Sequence, residues 1–119
     1  MGLQLLVRRT HDVVIVDLLG KATIGQANDS LNDQLRQIID EGTRKLLVNL
    51  SDLTQVDSSS ISTIVRTFVS MKNRGGSLKL LRPRASVKLV LETLRLVDAI
   101  PTFEDETQAI ASFGAARSA

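Results

Sequence analysis

A chain of 119 residues, 43% hydrophobic and 24% charged, is long and apolar enough for one ordinary domain and is not disordered by composition. It has no Cys, no Trp and no Tyr, which excludes a disulfide framework, a thiol nucleophile and a Cys-ligated metal. Its 15 basic and 13 acidic residues leave a net charge of only +2, and the basic residues that gather from Arg66 to Arg95 have a single aromatic, Phe68, among them and no recognisable nucleic-acid motif, so no direct nucleic-acid contact is expected.

The predicted elements alternate between strand and helix. Leu3, Leu5 and Val7 alternate with Gln4, Leu6 and Arg8, the pattern of a half-buried strand. Thr10-His11-Asp12 reads as a turn, and the β-branched run from Val13 to Leu18 as a more buried strand, so the two form a hairpin. Gly20 is expected to close the second strand, with Lys21-Ala22-Thr23 leading into a helix. In that helix Ile24, Ala27, Leu31, Leu35, Ile38 and Ile39 keep a helical spacing, Asn28, Asp29, Asn32, Asp33 and Arg36 form the wet face, and Gly42 is a C-cap. Leu46 to Leu50 is a compact apolar strand, followed by an expected polar loop, Ser51 to Gln55, pinned by Leu53.

Asp57 stands at a helix N-cap, before the apolar-periodic residues Ile61, Ile64, Val65, Phe68 and Val69. That helix runs to about Asn73, where Arg74-Gly75-Gly76 breaks it. Ser77 to Leu81 is a fourth strand stopped by Pro83. Ala85 to Val97 reads as one helix through Val87, Val90, Leu91 and Leu94. Ala99 to Phe103 is a short edge strand, because Pro101 donates no ladder hydrogen bond. Glu104-Asp105-Glu106 opens a last helix holding Ala109, Ile110 and Phe113, and residues 114–119 are expected to fray. The order predicts an α/β fold: a single domain over residues 1–119, with a mixed, mostly parallel sheet of four to five strands after an N-terminal hairpin, packed by about four helices.

In such sheets functional groups gather where strand C-terminal ends feed helix N-termini. Two loops qualify, Gly20 to Gly25 and Val56 to Ser60. The second carries Asp57-Ser58-Ser59-Ser60, which has two readings. Carboxylate and hydroxyl groups at a helix start cap orphan N–H groups; the same place favours a phosphate. Catalytic chemistry is sparse. His11 is the sole histidine and reads as a surface turn residue, metal-ligand spacing is absent, and Gly75-Gly76-Ser77 lacks the P-loop pattern. No enzyme activity, metal or cofactor is expected. No apolar run is long enough to span a bilayer, and Met1 to Arg9 has its basic residues after its apolar ones, unlike a signal peptide. A cytoplasmic location without membrane insertion is expected.

The segment Leu46-Leu47-Val48-Asn49-Leu50-Ser51-Asp52-Leu53-Thr54-Gln55-Val56-Asp57-Ser58-Ser59 resembles the signature of STAS domains, above all those of bacterial anti-sigma factor antagonists. Gly20, Gly75-Gly76, Val87-Lys88 and Phe103-Glu104 fall in the family's order, so the resemblance covers nearly the whole chain. It implies a phosphate acceptor at Ser58, with Ser59 and Ser60 as rivals, and Asp57 as cap and neighbour of the switch. It implies a partner surface drawn from Lys21, Thr23, Ser59, Ser60 and Ile61. The implied partners are an anti-sigma factor with serine protein kinase activity and a serine phosphatase, met by a monomer or weak dimer. Three departures stand out: Ser60 and Arg95 replace usual glycines, and Lys21-Ala22-Thr23 replaces a usually acidic loop. Two other readings of this fold are a non-switching adaptor subunit, as in a lipid-transport complex, and a nucleotide sensor using the anion site at Ser58.

Overall fold

The computed structural model describes residues 3–22 and 26–113, with side chains of 26–29 and of Val97 left out. The strands are β1 (Leu3–Thr10), β2 (Val13–Ala22), β3 (Lys45–Val56), β4 (Ser77–Leu81) and β5 (Thr102–Phe103). The helices are α1 (Gln26–Asp40), α2 (Ser58–Asn73), α3 (Ala85–Thr93), the single turn α4 (Leu96–Ala99) and α5 (Glu106–Ala111). All five strands lie in one sheet in chain order. β1 and β2 pair antiparallel from Leu3↔Gly20 to Thr10↔Val13, closed by a turn at His11, whose φ is 56°. The remaining neighbours pair parallel.

Each parallel step moves one strand along, and crossovers of one hand then carry their helices to one side of the sheet. The core follows this rule. Val14, Val16 and Leu18 of β2, Leu46, Val48 and Leu50 of β3, and Leu78 and Leu80 of β4 pack with Leu31, Leu35, Ile38 and Ile39 of α1, Ile61, Ile64 and Met71 of α2, and Val87 and Leu91 of α3. The alternate residues Val13, Ile15, Leu47 and Leu81 face the other way and meet Ala109, Ile110 and Phe113 at the C-terminal end of the described chain. Lys79 fastens that cover. Its ammonium donates to the Ser112 carbonyl at 2.9 Å and hydroxyl at 2.8 Å and stands 4.6 Å from the centre of the Phe113 ring.

The fold class, hairpin, α2 and β4 match the sequence expectations, and four differences have physical causes. β2 does not stop at Gly20: the glycine takes φ 101° and the strand continues through Lys21 to Ala22. β3 likewise absorbs the expected polar loop, because Leu53 and Gln55 pair with Gly20 and Lys21 across register shifts. Only every second residue there needs an apolar face, and Leu53 supplies it, fully buried. The expected helix from Ala85 to Val97 breaks, since Arg95 takes a left-handed φ of 60° between α3 and α4 and leaves Leu94 exposed. On the edge strand β1 Leu3 and Leu5 join the core, but Val7 stays 44% exposed. Thr23, Ile24, Gly25 and the expected fraying tail lie outside the described residues.

Candidate functional site

The C-terminal ends of β2 and β3 run side by side, with Lys21 opposite Gln55 and Ala22 opposite Val56. Thr54 ties them by donating from its hydroxyl to the Gly20 carbonyl at 2.9 Å. One residue past Val56 the chain turns into α2. Asp57 adopts extended dihedrals, φ −132° and ψ −177°, as an N-cap must. Its carboxylate accepts the Ser60 backbone N–H at 3.1 Å, while the Asp57 N–H donates to the Ser60 hydroxyl oxygen at 3.1 Å. This is a capping box in which serine stands where glutamate is usual.

The three serines part company here. Ser60 is fully buried, and its hydroxyl donates to the Asp57 carbonyl at 3.0 Å. Ser59 is half-buried and donates its hydroxyl to the Asp57 carboxylate at 2.8 Å. Ser58 is exposed, and its hydroxyl has no hydrogen-bond partner among the described residues. A side chain in the first turn projects away from the sheet at one position in this trio because successive helical residues are rotated by about 100°. Ile61 is 4% exposed and belongs to the core. A surface contact through Ser60 or Ile61 is therefore corrected: the first closes the cap and the second packs on the sheet. Lys21 is exposed at the neighbouring strand end, beside the Gln55 position. Thr23 lies outside the described residues.

The first turn of α3 borders the same end of the sheet, where the Ser86 hydroxyl donates to the Thr54 carbonyl at 3.4 Å. Arg84, its N-cap residue, and Lys88 are exposed there. With Lys21 they place basic side chains along the strand ends, near the Asp57 cap. Among the described residues no group of three or more His, Asp and Glu side chains could hold a metal ion.

A second polar cluster sits on the sheet face that carries α5, and no local pattern announces it. Arg8 of β1 donates to both oxygens of Asp17, at 2.6 and 2.9 Å, and to both oxygens of Glu106, at 3.2 and 3.0 Å. Asn49 adds a bond to Asp17 at 2.7 Å. Burial alone would push the Asp17 carboxyl up, but the bonds from Arg8 and Asn49 outweigh it and hold the group below its ordinary value. The only signals in the sequence are a lone Asp17 inside an apolar strand and an Arg8 on the partner strand, two residues beyond Leu6, which pairs with Asp17.

The family model described as the STAS domain matches residues 4–109. A Thermotoga neapolitana protein provisionally named an anti-sigma factor antagonist is 28% identical over 74 residues. That match spans 62% of this chain and 66%, just under two thirds, of the relative's own length. Among solved structures, an anti-sigma factor antagonist from Mycobacterium paratuberculosis superposes with a TM-score of 0.83 at 14% identity, covering 94% of each chain. The Bacillus cell fate determinant SpoIIAA in its phosphorylated form gives a TM-score of 0.71 at 20% identity, covering 93% of this chain and 98% of that one. These two likenesses establish a shared fold.

Proposed function

The chain belongs to the STAS domain family, whose model spans residues 4–109, and from that premise we propose that it is an anti-sigma factor antagonist switched by phosphorylation of Ser58. Unmodified, it binds an anti-sigma factor with serine kinase activity and so frees a sigma factor. Phosphorylated, it lets go, and a serine phosphatase resets it. The exchange takes place in the cytoplasm, and no described helix is long and apolar enough to cross a membrane.

The observation that carries this reading is the difference among the three serines. Only Ser58 combines exposure with a hydroxyl that has no hydrogen-bond partner among the described residues. A phosphoryl group on Ser60 would open the capping box, and one on Ser59 would break its bond to Asp57. Phosphate on Ser58 adds roughly −1.5 to −2 charges at the positive end of α2, so it alters the docking surface and leaves the fold intact. The exposed part of that surface comprises Lys21, Ser58 and Ser59, with Arg84 and Lys88 on its border. The likeness to a Bacillus protein solved in a phosphorylated form supports a fold that tolerates the modification.

The test is intact-mass spectrometry after incubation with ATP and the anti-sigma kinase, followed by peptide mapping. One phosphate on Ser58, absent in Ser58→Ala, is expected. A phosphate on Ser59 or Ser60 overturns the assignment of the acceptor. Tight complex formation without any phosphate transfer overturns the switch.

A further inference from the structure

Away from the strand ends, α1 and α2 leave a cleft of about 340 Å³ between them. The walls are two stripes at helical spacing, Asn32, Arg36 and Asp40 on α1 and Arg66, Ser70 and Arg74 on α2. Ile39 and Thr67 form the floor and are nearly sealed from solvent, at 5% and 6% exposure. Asp40 meets Arg74 at 3.5 Å at the far end. Neither of the other two guanidinium groups forms an ion pair with a carboxylate among the described residues. Arg36 makes no side-chain hydrogen bond or ion pair among the described residues, and Arg66 reaches only the Thr63 hydroxyl, at 3.3 Å.

We propose that this cleft binds a small phosphate-bearing molecule, held by Arg36 and Arg66 from opposite walls. Among the described residues the lining sets three arginines against one aspartate, a local surplus of positive charge in a concave site, where the field is stronger than on a flat surface. Planar guanidinium forks match the oxygens of a phosphate, and two forks on separate helices satisfy more oxygens than a carboxylate offers. The Ser70 hydroxyl and Asn32 amide can serve the remaining oxygens. The lining also limits the rest of the ligand. Its one apolar side chain among the described residues, Ile39, is buried and offers no anchor for a peptide side chain. It contains no aromatic ring, so a nucleobase would have nothing to stack on. The ligand is therefore compact and polar beyond its phosphate, in keeping with the cleft's volume. Arg66 lies eight positions after Ser58 on α2, about 12 Å along the axis, so the cleft is separate from the phosphorylation surface.

The probe is pyrophosphate, titrated into the isotopically labelled full chain at constant ionic strength, with amide shifts read by NMR. Saturable shifts confined to the amides around positions 32–40 and 63–74 are expected. Arg36→Gln with Arg66→Gln should weaken binding by about tenfold or more, whereas Arg9→Gln, on the edge strand and outside both sites, should leave it unchanged. Because both arginines are exposed, the double variant keeps its thermal transition. Ser70→Glu, which adds a negative charge to the wall, should abolish binding independently. Shifts that rise linearly and spread over all basic residues, or an unchanged affinity in the double arginine variant or in Ser70→Glu, would overturn the site. Equal affinity for citrate would overturn its assignment to phosphate.

Discussion

Asp57 holds the local geometry of the candidate site with one side chain. Its carboxylate accepts from the Ser60 N–H and from the Ser59 hydroxyl, and its own N–H and carbonyl are bonded to the Ser60 hydroxyl. Asp57→Ala removes the cap and should cost about 1 kcal/mol in urea unfolding; an unchanged midpoint would mean that the Ser60 side chain alone suffices. Ser58→Asp differs in kind. It adds an exposed charge at a helix end that favours anions, so the melting transition should stay in place while affinity for the anti-sigma factor falls about tenfold or more. A binding titration checks the second half, and undiminished affinity would place the docking face elsewhere. The cap was legible in the sequence because capping depends on residues three apart. The ranking of the serines came from the family resemblance alone, because no local pattern says in which direction α2 leaves β3.

At the scale of elements, short-range chemistry set the boundaries that the sequence disclosed, and tertiary pairing set those it concealed. α2 begins after Asp57 and ends at Arg74 before Gly75, whose φ is 80°, so both limits carry local signals. β2 and β3 run past Gly20 and Leu50 only because each supplies the other with ladder partners, a fact that no window of one strand contains. The break after α3 is similarly hidden, since an arginine occupies the left-handed position where glycine would have marked it. Arg95→Gly should therefore stabilise the fold by about 1 kcal/mol, the order of the left-handed penalty for a residue with a Cβ. A lower urea midpoint in that variant would show that the arginine side chain repays the strain. Gly76 matters for closeness rather than φ. A Cβ there would lie 2.6 Å from the Arg44 carbonyl oxygen, where the start of β4 passes the start of β3. Gly76→Ala must push two backbones apart, and a loss of about 1–3 kcal/mol is expected from the same measurement.

For the whole molecule, the two faces of the sheet are closed by different means. Three helices seal one face with a large apolar core, whereas the short α5 covers a smaller cluster on the other and relies on polar fasteners. Lys79 is one fastener, and Arg8 is the other, reaching from the edge strand to Asp17 and to Glu106, 98 residues further along. That separation is why the cluster was invisible to any reading of local pattern. It also gives the fold an acid sensitivity whose sign is fixed. The Asp17 carboxyl is held below its ordinary value in the folded chain, so the unfolded chain binds a proton first as pH falls. The stabilisation is fully present above the unfolded value, about 3.9, and drains away as pH drops through the lower folded value. Arg8, whose guanidinium is also bonded to Glu106, stays charged throughout. Asp17→Asn keeps the shape and discards the charge, so it should lower stability near neutral pH. Its deficit should then shrink as pH falls below about 4, where the parent also loses the charge. Urea unfolding of both chains across that range checks the convergence. Parallel curves would mean that Asp17 serves through its packing and its bond from Asn49, and that the Arg8 pair contributes nothing measurable to holding α5 on the sheet.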